Sequence, residues 1–177
     1  MRTNNNSTAL KIKPSQSKLL IITGTPCVGK STLATYLAKQ LKAKRLDLHQ
    51  HYKELSFGYN HKKQCYDINL TKLQPFIAKK KQEHPLLIFD SHLSHLLPKE
   101  LVNLCLVLTQ SNLKILHNRL QKRKYSQRKI KENLQCEIFQ ICLQEAQERN
   151  HKTILLPDLK KSDFVKVASK VKAHLSK

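Results

Sequence analysis

Residues 19–32, LLIITGTPCVGKST, decide the fold of this chain, because an apolar run is followed by a glycine-bounded loop and then by a helical pattern. Gly24 and Gly29 enclose the loop, and the chain has only one other glycine. Glycines let a backbone turn tightly around phosphate oxygens, and the following helix points its positive dipole end at the same anion. The pattern predicts a phosphate-binding loop in which Lys30 reaches the outer phosphates and Ser31 holds Mg²⁺. An ordinary strand–turn–helix is the competing interpretation.

Length and composition indicate one domain of 177 residues with a core of its own, and no stretch is long and apolar enough to suggest a membrane span. The first residues lack the pattern of a secretory signal, so the cytoplasm is the expected location, or the nucleus in a eukaryote. The five cysteines show no Cys-x-x-Cys spacing, which argues against a disulfide framework or a zinc site.

The charge balance is strongly basic, with a formal net charge of +21. Such a charge predicts attraction to polyanions such as nucleotides, RNA and ribosomes, although a solvated lysine-rich surface is an equally good interpretation. Residues 101–131 contain no acidic side chain while lysines and arginines accumulate there. We therefore expect an anionic ligand or partner near this segment.

Apolar runs alternate with helical patterns, which predicts an α/β domain over residues 18–177, with a parallel sheet covered on both faces and the ligand at the carboxyl ends of the strands. Residues 1–17 are expected to be a disordered basic leader, and residues 48–68 a mobile insertion outside the core. The predicted strands lie at residues 19–22, 45–46, 86–89, 101–108 and 154–156. The predicted helices cover residues 33–41 and 70–82, and three more are marked by Leu113, Leu116 and Leu120, by Leu134, Ile138 and Ile141, and by Val165, Ala168 and Val171.

Asp90 ends an apolar strand, where the acid that supports Mg²⁺ stands in phosphate-loop enzymes, either as a direct ligand or through a water molecule. The alternative is that Asp90 caps the helix that follows. His92, two residues further on, is a candidate for positioning water or a phosphate. His95 is expected to be a structural residue of the core.

Arg119 and Arg123 are four residues apart and can share one face of a helix. Phosphoryl transfer needs cations over the transferred oxygens in a site that closes and excludes water, and Arg123 is the predicted lid residue for this role. A solvated basic face is the alternative interpretation. Lys53 is the candidate for contacting an acceptor phosphate.

Three motifs together resemble the adenylate kinase isoenzyme 6 family, including its archaeal members. They are the loop from Gly24 to Ser31, the Asp90-x-His92 pair with Pro98 downstream, and residues 119–138, RLQKRKYSQRKIKENLQCEI, which form the most specific of the three. The resemblance runs from Lys18 to about Pro157. Cys27 and Lys124 stand where the family usually has glycine, and Lys53 stands where an acceptor-binding arginine is expected.

The resemblance implies a three-layer P-loop nucleoside monophosphate (NMP) kinase fold, with an NMP-binding segment near residues 47–68 and a lid near residues 122–132. It implies a broad NMP kinase activity that converts ATP and AMP to two ADP, an ATPase activity, and a role in small-subunit maturation and rRNA processing with ribosomal protein uS11 and precursor rRNA. It implies nucleotide contacts from Cys27, Gly29, Lys30, Ser31, Thr32 and Arg123, Mg²⁺ at Ser31 and Asp90, and a catalytic group of Lys30, Asp90, His92 and Arg123.

Two other functions fit the same residues. In one, the protein is an assembly factor whose ATP hydrolysis switches its affinity for a ribosomal partner, and NMP phosphorylation is incidental. In the other, the altered acceptor segment serves a small metabolite, and the protein is a kinase of related fold.

Overall fold

The computed structural model describes residues 17–61 and 65–176, so nearly all of the predicted leader, residues 1–17, lies outside the described part. Within the described residues there are seven β-strands and seven α-helices. The strands are β1 (Lys18–Thr23), β2 (Lys44–Leu46), β3 (Ser56–Asn60), β4 (Cys65–Ile68), β5 (Leu86–Asp90), β6 (Leu104–Thr109) and β7 (Thr153–Pro157). The helices are α1 (Lys30–Leu41), α2 (Tyr52–Leu55), α3 (Leu70–Gln82), α4 (Leu113–Lys122), α5 (Gln127–Ile138), α6 (Ile141–Glu148) and α7 (Phe164–Leu175).

Five strands form a parallel sheet in the order β2-β5-β1-β6-β7, with the loop-bearing strand β1 at its centre. Successive side chains of a strand point to opposite faces, and in β1 both sets are apolar and fully buried. Leu20 and Ile22 pack in a core with side chains of α1, α4 and α7, whereas Leu19 and Ile21 pack in a second core with α3 and α6. The predicted three-layer α/β fold is confirmed, and so are the predicted strands, within a few residues at their ends.

The expected single helix through Leu134, Ile138 and Ile141 is wrong. The chain forms α5 and α6 with a break at Gln140, whose φ of 48° lies in the left-handed region and redirects the backbone. Ile138 is 55% exposed, while its neighbour Glu137 is buried and accepts a hydrogen bond from the backbone N–H of Gln110. The apolar spacing that suggested one helix therefore does not mark its buried face.

Residues 48–68 differ from the expected insertion outside the core. They form a 3₁₀ turn over Leu48–His51, the short helix α2 and the antiparallel hairpin β3–β4. Leu48 and Leu55 are each only 2% exposed and pack in the core beside α3. Tyr59 on β3 and Tyr66 on β4 line the cavity described below, whereas Phe57 in β3 is 78% exposed.

Candidate active site

The loop between β1 and α1 has the backbone that its two glycines predict. Gly24 has a φ of 133°, and a Cβ atom there would lie 2.3 Å from the carbonyl oxygen of Leu108 on β6. Gly29 has a φ of 109° and immediately precedes α1, so the helix begins at Lys30 with its N-terminus directed at the loop. Only glycine combines the positive φ and the close approach at position 24.

Lys30 folds back across the loop. Its Nζ atom donates to the carbonyl oxygens of Gly24, at 2.8 Å, and Thr25, at 2.9 Å. Burial lowers the pKa of Lys30 to about 8, and the positive charge of Arg123 acts in the same direction. The ammonium group is still mostly charged at neutral pH, and a phosphate oxygen is a stronger partner for it than a carbonyl.

The carboxylate of Asp90 joins the loop to the edge strand β2. Ser31 Oγ donates to Asp90 Oδ2 at 2.7 Å, Arg45 Nε donates to Oδ1 at 2.7 Å, and a terminal nitrogen of Arg45 donates to Oδ2 at 3.0 Å. The side chain of Asp90 is only 4% exposed. The predicted Ser31–Asp90 pair is thus assembled, with oxygen donors of the kind that Mg²⁺ prefers.

Arg45, which contacts the site through Asp90, is a residue that sequence reasoning missed. The sequence carries one signal for it, because Arg45 is a charged residue inside a predicted strand. Its function depends on β2 pairing with β5, in which Arg45 lies beside Ile88, two residues before Asp90. That neighbour relation links residues far apart in the chain and cannot be read from local spacing.

His92 and His95 have different environments. Burial, followed by the positive charge of Lys30, lowers the pKa of His92 to about 4. His92 also keeps an exposed surface at the cavity, and with its lowered pKa the imidazole is neutral near pH 7. His95 is 2% exposed. Its Nδ1 atom lies 2.6 Å from Thr23 Oγ1 and its Nε2 atom lies 2.6 Å from Glu145 Oε2, which fits the structural residue that the sequence led us to expect.

Arg119 and Arg123 both line the cavity, and Arg119 is also hydrogen-bonded to the loop. One terminal nitrogen of Arg119 donates to Gln110 Oε1 at 3.2 Å and to the carbonyl oxygen of Cys27 at 3.4 Å, which ties the loop to the end of β6. Arg123, at the end of α4, faces the same cavity as Lys30.

Burial raises the pKa of the Cys27 thiol, and the charges of Arg123, Lys30 and Arg119 oppose this shift.

One cavity of about 690 Å³ unites the predicted nucleotide residues. Part of the lining is aromatic: the ring of Tyr66 lies 5.3 Å from that of Tyr52 and 5.3 Å from that of Tyr59, and the ring of His49 lies 4.8 Å from that of Tyr52. Lys53 is exposed and is not among the lining residues, so the structure does not bring it together with the other predicted site residues. The predicted residues that line the cavity are Cys27, Gly29, Lys30, Ser31, Thr32, Asp90, His92 and Arg123.

Both positions at which the sequence lacks an expected glycine have left-handed backbones. Cys27 has a φ of 72° and Lys124 a φ of 57°. Lys124 follows α4 in the αL position of a Schellman motif, because its N–H donates to the carbonyl of Gln121 and the N–H of Tyr125 donates to that of Leu120. Both backbones are therefore ones that favour glycine.

No helix in the described part of the chain is long and apolar enough to cross a membrane.

Comparison with known sequences gives consistent matches over most of the chain. A family model described as an AAA domain matches residues 20–140. The Putative adenylate kinase of Methanocaldococcus jannaschii is 35% identical over 130 residues, which cover 72% of this chain and 71% of that protein. The Adenylate kinase isoenzyme 6 homolog of Schizosaccharomyces pombe is 38% identical, covering 73% of this chain and 74% of the relative. The Drosophila melanogaster protein of the same name is 32% identical, covering 93% of this chain and 90% of the relative.

Solved structures share the fold at much lower sequence identity. Shikimate kinase from Bacteroides thetaiotaomicron superposes with a TM-score of 0.52 at 11% identity, covering 90% of this chain and 99% of that one. A gluconokinase from Sinorhizobium meliloti 1021 gives a TM-score of 0.52 at 10% identity, covering 91% of this chain and 93% of that one. These likenesses show that the chain shares its fold with both proteins.

Proposed function

Because this chain belongs to the adenylate kinase isoenzyme 6 family of ATP-dependent phosphotransferases, we propose that it transfers the γ-phosphoryl group of Mg-ATP to a nucleoside monophosphate, with AMP as the first acceptor to test. The observation that carries the proposal is the cavity that is lined both by the loop residues with Lys30, Asp90 and Arg123 and by three tyrosines in tilted or edge-to-face ring contact. A nucleotide acceptor needs both surfaces, since its phosphate must face the donor and its base must leave water.

The donor side holds the groups that such a transfer requires. Lys30 and Arg123 are the cations that neutralise charge developing on the transferred phosphoryl oxygens. Ser31 and Asp90 are the residues that would hold Mg²⁺, which when bound neutralises charge on the ATP phosphates. The acceptor phosphate is already a nucleophile, so the protein has to orient it and exclude water rather than supply a strong base.

The acceptor side supports broad specificity among nucleoside monophosphates. Tyr52, Tyr59 and Tyr66 offer ring faces and edges, and every nucleobase has a π-face on which to stack. We propose residues 47–68 as the NMP-binding segment and residues 122–132 as the lid. The exposed position of Lys53 would then require a closing movement before this lysine contacts an acceptor phosphate.

A coupled assay with each nucleoside monophosphate as acceptor tests the proposal. We expect ADP formation that depends on AMP and proceeds with several other monophosphates. Shikimate and gluconate, which are not nucleotides, test whether the protein is instead a small-metabolite kinase. We expect no turnover with either of them. Turnover only with such a metabolite would contradict the proposal.

A second candidate function is that of a ribosome assembly factor that hydrolyses ATP, as the family resemblance implies. His92 favours it, because a neutral imidazole beside Lys30 can accept a hydrogen bond from a water molecule. We expect His92→Ala to lower ATP hydrolysis without acceptor about ten-fold while AMP phosphorylation changes less than three-fold. Equal losses in both assays would exclude the water-positioning role.

The basic surface supports the implied partners, small-subunit precursor rRNA and ribosomal protein uS11, in the cytoplasm. If lysines and arginines contact RNA phosphates, each contact contributes about 0.7 to 0.9 to the slope of log affinity against log salt, so binding weakens steeply as salt rises. Sedimentation with ribosomal fractions across a salt series, with and without ATP, measures this. Binding that survives moderate salt and depends on ATP would point to the protein partner, and no binding at low salt would exclude both.

A further inference from the structure

We propose that Arg45 is a positioning residue that neutralises and holds the Asp90 carboxylate, so that Mg²⁺ with its nucleotide meets an ion pair rather than a free anion. Arg45 thereby weakens metal binding while it fixes the carboxylate that orients Ser31. The inference rests on the proposed use of Mg-ATP and deepens it, because it says what sets the metal requirement of this chain.

The contact between the two side chains is a two-point fork. Arg45 Nε lies 2.7 Å from one carboxylate oxygen of Asp90 and a terminal nitrogen lies 3.0 Å from the other. Together with the hydroxyl of Ser31, this gives Asp90 three hydrogen bonds at a side chain that is only 4% exposed. Bidentate arginine–carboxylate pairs are stronger and more strictly oriented than single contacts, so the carboxylate is fixed in rotation as well as in position.

The guanidinium is itself anchored on the helix behind the loop. Its other terminal nitrogen lies 3.3 Å from Thr35 Oγ1, and the Thr35 hydroxyl donates to the carbonyl oxygen of Ser31 at 2.8 Å. Arg45 is not among the residues that line the cavity, so it acts through Asp90 rather than on the nucleotide. The arrangement joins β2, the end of β5 and the first turn of α1 around one carboxylate.

The charge of the pair gives the direction of the effect. The guanidinium of Arg45, which donates to both oxygens of Asp90, is charged at any pH at which the protein is handled. A free carboxylate would attract Mg²⁺ with a full negative charge, whereas the pair has no net charge. Removal of the arginine charge should therefore lower the Mg²⁺ concentration needed, and by about five- to ten-fold where solvent screens the two charges nearly as bulk water does.

The test measures ATP affinity against free Mg²⁺, using a fluorescent ATP analogue and starting from metal-free protein. Mg²⁺ should raise the affinity for the ATP analogue, and the midpoint is the free Mg²⁺ concentration that gives half of this gain. We expect the midpoint of Arg45→Gln to be about five-fold lower than that of the unmodified protein. Arg45→Lys keeps the positive charge but loses the two-point contact with Asp90. The Mg²⁺ concentration at its midpoint should therefore stay within about two-fold of that of the unmodified protein, while its turnover with AMP falls. Lys44→Gln is the matched control, because it removes one positive charge from an exposed position on the same strand and should leave the midpoint unchanged.

The outcomes separate this inference from the proposed function. An unchanged or higher midpoint in Arg45→Gln would overturn the inference and leave the kinase proposal standing. ATP binding by the unmodified protein that does not respond to Mg²⁺ would overturn both the inference and the proposed use of the metal. If Arg45→Gln does not fold, Arg45→Met keeps the length of the side chain without its charge, and the same shift is expected of it.

Discussion

The two sides of the cavity are built from different interactions. On the phosphate side, Lys30 and Asp90 are each held by at least two hydrogen bonds of 3.0 Å or less. On the side that we propose for the acceptor, the tyrosines contact one another through rings whose centroids are about 5 Å apart. Hydrogen-bonded charges work at one geometry, whereas ring contacts tolerate displacement. We therefore expect single substitutions on the phosphate side to act by orders of magnitude, and those on the acceptor side by small factors.

The largest expected effect is that of Lys30→Ala. It removes the charge that stabilises the transferred phosphoryl group, so kcat/KM should fall about a thousand-fold. The melting temperature should change little, because the ammonium contacts only loop carbonyls in the absence of nucleotide. Steady-state kinetics and a thermal melt measure both quantities, and Lys39→Ala, at an exposed site on the same helix, is the control. Near-normal turnover with unchanged melting would remove Lys30 from the site.

Arg123→Ala comes next and tests whether the phosphate side is complete only in the closed enzyme. We expect kcat to fall about a hundred-fold and ATP affinity by less than three-fold, since an arginine that acts on the transferring group contributes mainly in the transition state. The adjacent exposed Lys122, changed to alanine, controls for charge on α4. Equal losses of turnover and ATP affinity would instead make Arg123 a ground-state anchor.

Tyr66→Leu examines the acceptor side. The substitution removes a ring that is proposed to stack on the acceptor base, worth about 1 kcal/mol, so the KM for the nucleoside monophosphate should rise about three- to ten-fold while the affinity for ATP stays the same. Phe57→Leu removes an aromatic ring from the exposed part of the same hairpin and should have no effect. A loss as large as that of Lys30→Ala would break the contrast between the two sides.

The smallest expected effect is that of Lys124→Gly, at the hinge between α4 and α5. Glycine relieves the left-handed backbone but gains freedom in the unfolded chain, so the net stabilisation should be about 1 kcal/mol or less, which is a rise in melting temperature of about 2–4 °C. Lys124→Ala removes the same charge without relieving the backbone and should not stabilise. Equal melting temperatures for the two variants would show that the lysine is not strained.

Sequence reasoning succeeded where the signal is local. Apolar runs predicted the sheet strands, and the two loop glycines with Lys30 and Asp90 are residues that the structure brings together at one cavity, where phosphate binding stays a prediction. It failed at Arg45, whose partner lies on a neighbouring strand far along the chain, and at Gln140, where one left-handed residue divides a pattern that looks continuous. It also wrongly placed residues 48–68 outside the core. Leu48 and Leu55 are buried there by tertiary contacts, and the local sequence shows no periodic pattern that would predict this burial.

The two loop glycines differ in what a substitution would damage. A side chain at Gly24 would collide with the carbonyl of Leu108, so it would push apart the two central strands β1 and β6 as well as disturb the loop. At Gly29 a Cβ atom would meet nothing within 4 Å, although its φ of 109° still disfavours any other residue. An inactive but folded protein for capturing partners should therefore be made at Lys30 rather than at Gly24. A failure to rescue cells with a Gly24 variant would not distinguish lost catalysis from lost protein.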